Sequence, residues 1–271
     1  MLHNIKAFLY FLKTIYQQKY IIKKLVIRDF QKKYLGSYLG LPWAFLQPAA
    51  YILSLWFVFS IGLRGGEARD GAPFLFWLMA GIIPWFFINE GINNSSTSLL
   101  SFAFLIKQMH FRVGIIPFIT IITALIIHLF MVLILMIFSV GYGFYPTIYW
   151  LQLPYYLIGA ILFLTGLGWL TSSILIFVRD VQKIITVLLT LLFWTTPIFW
   201  PHASVTGKMR LVVDLNPVFY ITNGYRETFI NQKWFFENVN LTIYFWALTA
   251  VLFVSGAIIF QRLKPHFADV L

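Results

Sequence analysis

Six stretches of this chain are long, apolar and almost free of charge: residues 41–62, 73–104, 113–140, 154–178, 184–200 and 241–260. Each is near the roughly 20 residues that an α-helix needs to cross a ~30 Å hydrocarbon layer. With charged residues at 11% and a mean hydropathy of +0.82, ordinary soluble domains are excluded. The fold class expected is therefore an all-α membrane protein with six transmembrane helices.

The chain carries a formal charge of +11, which could suggest a nucleic-acid partner, but the placement of the charge argues otherwise. With six crossings and the N-terminus inside, the inner segments are 1–40, 105–112, 179–183 and 261–271. They hold fourteen Lys and Arg against Asp29, Asp180 and Asp269. The outer loops are nearly neutral, with six bases against five acids, and Glu90 lies within a span. This asymmetry puts both termini in the cytoplasm and leaves no basic patch for nucleic acid. The N-terminus lacks the short apolar core and small-residue site of a cleaved signal, so the first span is expected to act as its own insertion signal.

The second run contains a block that does not suit lipid, "NEGINNSSTS" at residues 89–98. As a loop it would leave a crossing of only sixteen residues, 73–88, and would invert every later segment. Lys107, Arg112, Arg262 and Lys264 would then face outward, against the charge rule. The block is better read as the inner half of one long helix. There Glu90, Asn93, Asn94, Thr97 and Ser101 recur at helical spacing and share a face. An acid at the bilayer centre costs on the order of 2.5–3.5 kcal/mol, so this face must meet protein or water.

Residues 5–33 alternate apolar and basic positions with helical period, as expected of an amphipathic helix lying in the membrane interface. Domain 1–40 is this interface element, and 41–271 is the transmembrane domain. "FLIKQMHFR", about 104–112, is a compact basic turn, and "FVRDVQK" at 177–183 is a shorter one. The region from 194 to 238 mixes short apolar pieces with Pro197, Pro201, Pro217 and Gly224. Its expected form is a pair of re-entrant helices before the last span, at about 200–238. Irregular backbone at that depth requires protein or water beside it.

Several local signals carry no chemistry. "SVGYG" at 139–143 follows a full-length apolar run, so it reads as a glycine helix terminator and not an ion filter. No GxxxxGK[ST] occurs, and ATP energy would have to come from another subunit. Cysteine is absent, and His3, His110, His128, His202 and His266 have no metal-ligand spacing; His128 reads as a hydrogen-bonded packing residue. No catalytic constellation and no repeat between halves is found. Aromatic residues make up 20% of the chain and suit an interfacial belt. Sugar stacking is the sharper reading at Trp85, Phe86 and Phe87, directly before the polar face. A stand-alone channel or an intramembrane lipid enzyme is the rival class.

The order of parts, with "YLGSYLGLPWAFLQP" (34–48), "FVFSIGL" (57–63), "VRD" (178–180) and "LNPVFYITNGYRETF" (215–229), resembles the ABC-2 type permease subunits of polysaccharide exporters. "FWLMAGIIPWFFI" (76–88), "FYPTIYW" (144–150) and "PIFW" (197–200) are similar to wall teichoic acid translocation permeases, with O-antigen or capsular export as the alternative within the family. The resemblance implies a homodimer in the bacterial plasma membrane with two cytoplasmic ABC ATPases, which bind the ATP and magnesium; this chain holds no cofactor. Its cargo would be an undecaprenyl-diphosphate-linked polymer. On this reading Trp85, Phe86, Phe87, Glu90, Asn93, Asn94 and Thr97 line the substrate pathway. Trp194, Phe199, Trp200, Arg226 and Glu227 form the extracellular gate. Lys107, Gln108, Met109, His110, Phe111 and Arg112 are the coupling helix, assisted by Arg179 and Asp180.

Overall fold

The computed structural model describes residues 16–34, 38, 40–62, 69–108 and 112–271. Among them there is no strand, and eleven α-helices follow one another: α1 Lys19–Tyr34, α2 Trp43–Trp56, α3 Phe74–Ser101, α4 Ala103–Gln108, α5 Ile116–Gly141, α6 Leu153–Leu175, α7 Val181–Thr195, α8 Gly207–Asp214, α9 Pro217–Arg226, α10 Val239–Leu263 and α11 Phe267–Val270. A π turn, Phe57–Gly62, extends α2, and another, Glu227–Asn231, extends α9. Five helical stretches are long and apolar enough to cross a membrane, and α7 is shorter.

Sequence punctuation sets many of the boundaries. Pro117 and Pro217 stand at the first helical turn, where the missing N–H costs nothing. Asn216 caps α9 by accepting a hydrogen bond from the Val218 amide at 2.9 Å. The fifth apolar run, expected over 184–200, is helical only as Val181–Thr195. Pro197 cannot continue a helix, and its ring forces the preceding residue into extended backbone. Thr196 is extended, with ψ 129°. At 1.5 Å per residue α7 covers about 22 Å, less than a full hydrocarbon thickness. The irregular region beyond it resolves into α8 and α9, of eight and ten residues.

α3 is buried on nearly every side and packs against α5, α6, α9, α2 and α7. A helix whose first half is apolar all round, as residues 74–88 are, belongs at the centre of a bundle. By contrast α2 and α10 bury only narrow strips and leave broad apolar faces outward. At one end of the bundle, Ile22, Leu25 and Val26 of α1 join Leu99, Phe102, Ile115, Trp169 and Phe267 in a second apolar cluster. α1, expected to lie in the membrane interface, is thus docked on protein over its described part; residues 1–15 lie outside the described ones.

Small residues allow the tightest helix contacts, as in membrane bundles generally. A Cβ at Gly166 would stand 2.7 Å from the Phe253 backbone nitrogen, and one at Gly256 would stand 2.3 Å from the Gly166 carbonyl oxygen. At Gly91 the obstacle is only a Leu164 methyl at 2.6 Å. Overpacking costs about 1–3 kcal/mol, more where the neighbour cannot yield. Gly166→Ala should therefore lower the thermal midpoint in detergent clearly more than Gly91→Ala. Equal midpoints would contradict this packing.

Candidate functional site

The block 89–98 is helical throughout, inside α3. The helix turns its small hydroxyls and its larger polar groups to different neighbours. Ser95, Ser96 and Ser98 are fully buried, and Ser96 Oγ lies 2.8 Å from Thr171 Oγ1 on α6. Gly168 of α6 makes room for Ser95. Glu90, Asn93, Asn94 and Thr97 are only half-buried, and Ser101 is exposed.

Two other elements close over the edges of this half-buried stripe. Lys33, at the end of α1, donates from Nζ to Glu90 Oε1, and Asn94 Nδ2 donates to the same oxygen at 3.4 Å. From α7, Gln182 Nε2 donates to Asn93 Oδ1 at 3.3 Å. Burial pushes the Asp29 carboxyl above its ordinary range and the Lys33 amine below its own, while their mutual attraction opposes both shifts. The amphipathic helix is therefore tied to the stripe by charge as well as by apolar contact.

The aromatic residues before the stripe divide. Trp85 and Phe87 are core residues: Trp85 packs 5.3 Å from Phe193, and Phe87 stacks 4.7 Å from His128. Their burial removes the open face that sugar stacking would require, and only Phe86 remains half-exposed, edge-on to Tyr51 at 5.7 Å. His128 packs as expected, with Nε2 2.7 Å from the Tyr225 hydroxyl.

Arg226 organises the opposite end of α3. It is 3% exposed and donates to the carbonyls of Trp77, Pro197 and Ile198. Its guanidinium lies 3.4 Å from the Trp77 ring centre. Gly81 leaves the space, since a Cβ there would meet Nη2 at 2.6 Å. Arg69 adds a bond from Nη1 to the Phe199 carbonyl at 2.8 Å. Two arginines thus hold the non-helical stretch after α7 against α3; nothing in the sequence marks Arg69 or Gly81 for this, and Trp77 reads there only as one of the belt aromatics. No spacing marks them for it, because Arg69 reaches Phe199 across 130 positions and Arg226 reaches Trp77 across 149.

Glu227 does not pair with Arg226. Its Oε1 accepts from Asn223 and Asn238, both at 2.8 Å. Of the expected gate aromatics, Trp194 is exposed, Trp200 is half-buried, and Phe199 is buried, stacked 5.0 Å from Phe59. Phe199 therefore serves the core in this conformation.

At the α1 end, α4 carries exposed Lys107, and Arg112 is half-buried; Met109, His110 and Phe111 lie outside the described residues. Gln108 closes α4. Arg28 of α1 lies over the Phe104 ring at 5.3 Å, bringing α1 beside this turn. Arg179 and Asp180 are exposed, and Asp180 pairs with Lys183 at 3.0 Å. Among the described residues no group of His, Asp and Glu could hold a metal ion.

Long apolar helices around a central helix with a polar half define a multi-pass helical membrane protein. The profile of the ABC-2 type transporter family matches residues 20–230, and the chain belongs to that family. Similar proteins include the O-antigen export system permease protein RfbA of Klebsiella pneumoniae, 25% identical over 264 residues that cover 96% of this chain and 99% of the relative. RfbA of Myxococcus xanthus is 23% identical over 259 residues, 95% of this chain and 97% of the relative. The polysialic acid transport protein KpsM of Escherichia coli is 25% identical over 248 residues, covering 89% and 93%.

Proposed function

We propose that the chain is the permease subunit of an ABC exporter that moves a lipid-linked cell-surface polysaccharide from the inner to the outer leaflet. The observation that carries this reading is the half-buried polar stripe on an otherwise apolar central helix, Glu90, Asn93, Asn94 and Thr97. Such a face is stable in a membrane only beside protein or a wetted passage. Family membership and full-length similarity to O-antigen and polysialic acid permeases support polysaccharide as the cargo. They favour an O-antigen- or capsule-type polymer over wall teichoic acid.

In this reading α7 is a short sixth crossing and both termini are cytoplasmic. Two copies of the chain enclose the passage, and two ATPase subunits seat on the α4 turn. The ATPases bind ATP and magnesium and carry out the bond chemistry. The cargo is held on undecaprenyl diphosphate, and α8 and α9 dip into the outer leaflet as the exit gate, with Trp194 and Trp200 presented at its surface. The rival reading, a stand-alone channel, would require conductance without an ATPase.

Depletion of the chain in its host should trap polymer on the cytoplasmic side, and the sugar content of that polymer identifies the cargo. Unchanged surface polymer would refute the export reading. Lys107→Glu combined with Arg112→Glu should release the ATPase in a pull-down while the permease still folds; retained assembly and export would remove the α4 turn from coupling.

A further inference from the structure

A cavity of about 780 Å³ lies at the Arg226 end of the bundle, among α8, α9, the turn after α9 and the start of α10. This is the end remote from α1 and α4, about 30 Å away along α3 at 1.5 Å per residue. Its size falls within the ~300–1,000 Å³ of small-molecule sites. Its lining differs from the rest of the molecule, because four carboxylates open onto it: Asp70, Asp214, Glu227 and Glu237.

Each of these carboxylates is already oriented. Glu227 is only 6% exposed, and its Oε1 is held by the Asn223 and Asn238 amides, which leaves Oε2 for the cavity. Asp214 accepts from His202 Nε2 at 2.8 Å and has Arg210 at 3.9 Å. Asp70 accepts from the Trp77 indole at 2.9 Å, and Glu237 Oε1 accepts from the Trp234 amide at 2.7 Å. Asn231 and Asn240 add amides, which both donate and accept. Tyr244 supplies a ring whose hydroxyl is already committed to the Leu215 carbonyl at 2.6 Å.

The charge decides what fits. Three cations share the lining, Arg210, Arg226 and Lys233, but Arg226 spends its donors on main-chain carbonyls. Four carboxylates face these three cations, and Arg210 and His202 lie beside Asp214, so the lining is close to charge-balanced and gathers no cluster of free cations for a phosphate or carboxylate. Fixed carboxylate and amide oxygens beside an aromatic ring instead match a neutral ligand with many hydroxyls. We infer that this cavity binds one or two uncharged sugar residues of the polysaccharide as it leaves the passage. The inference rests on the export reading above and narrows its cargo to a polymer with neutral sugars.

The test uses the full chain in lipid nanodiscs, titrated with mannobiose, galactobiose and N-acetylchitobiose as neutral probes. A glycerol phosphate oligomer and sialic acid serve as anionic probes, and binding is read by saturation-transfer NMR. At least one neutral disaccharide should bind saturably, and the anionic probes should not. Loss of a hydrogen bond to a charged group should weaken binding about tenfold or more, so Asp214→Asn and Glu227→Gln should each do so. Asn240→Ala, at an exposed position, gives the same readout if Glu227→Gln fails to fold. Equal or tighter anionic binding, binding indifferent to all three variants, or no binding by any probe would overturn the inference. If depletion still traps polymer inside while no probe binds, the cavity assignment fails alone; if depletion traps nothing, the export reading fails.

Discussion

Arg226→Ala should abolish export and lower the unfolding midpoint of the permease by about 10 °C, a shift of the size expected when several kcal/mol are lost from a chain of this length. The guanidinium donates to the Pro197 and Ile198 carbonyls, in a stretch without a helical ladder of its own, and more weakly to the Trp77 carbonyl of α3. Each buried carbonyl left without a donor costs about 1–3 kcal/mol. Arg226→Lys keeps the charge but replaces a planar fork by a single point of donation, so an intermediate midpoint is expected. Gly81→Ala approaches the same contact from the other side, because its methyl would occupy the guanidinium site. Both substitutions should loosen the stretch from Pro197 to Phe199, read as faster amide exchange at Ile198 and Phe199. A variant with an unchanged midpoint and normal exchange would refute the clamp.

The second large effect concerns Lys33 and Glu90. Lys33→Glu should impair export strongly while leaving the thermal midpoint almost unmoved. The side chains are 37% and 23% exposed, so the pair is discounted for solvent screening and contributes no more than about 1 kcal/mol. Its weight lies in position, since it holds α1 over the polar stripe. Glu90→Leu should impair export without loss of assembly. The exchanged pair, Lys33→Glu with Glu90→Lys, should recover part of the lost transport. A coupling energy of about 0.5–3 kcal/mol is typical of residues in contact. Additive defects in the double variant would show that the two residues act separately.

Much of the scaffold is legible in the sequence because lipid imposes a long, simple signal. Five of the apolar runs reappear as long helices, with ends shifted by a few residues. The polar block can be read as helical because a loop there would turn Lys107, Arg112, Arg262 and Lys264 outward against the charge rule, an argument that uses the whole chain and not the local composition. The fifth run illustrates the limit. Ile198, Phe199 and Trp200 extend its hydropathy, yet Pro197 stops the helix at Thr195.

The site is less legible for a different reason. Lys33 meets Glu90 across 57 positions, Gln182 meets Asn93 across 89, and Arg226 meets Trp77 across 149. Such pairings leave no period to read. Hydropathy also cannot separate an aromatic residue that borders a passage from one that packs. Trp85 and Phe86 are adjacent and equally apolar, but the helical rotation between them puts one in the core and the other at its edge.

Pro84 stands in α3 between the two anchor points, three residues past Gly81 and six before Glu90. It has no N–H to offer the Ala80 carbonyl, so the ladder of the central helix lacks a rung there. The half bound to the Arg226 clamp and the half bound to α1 are consequently joined across that missing rung. If the export reading holds, a torque applied at the basic end would meet this missing rung before it reached the Arg226 contacts.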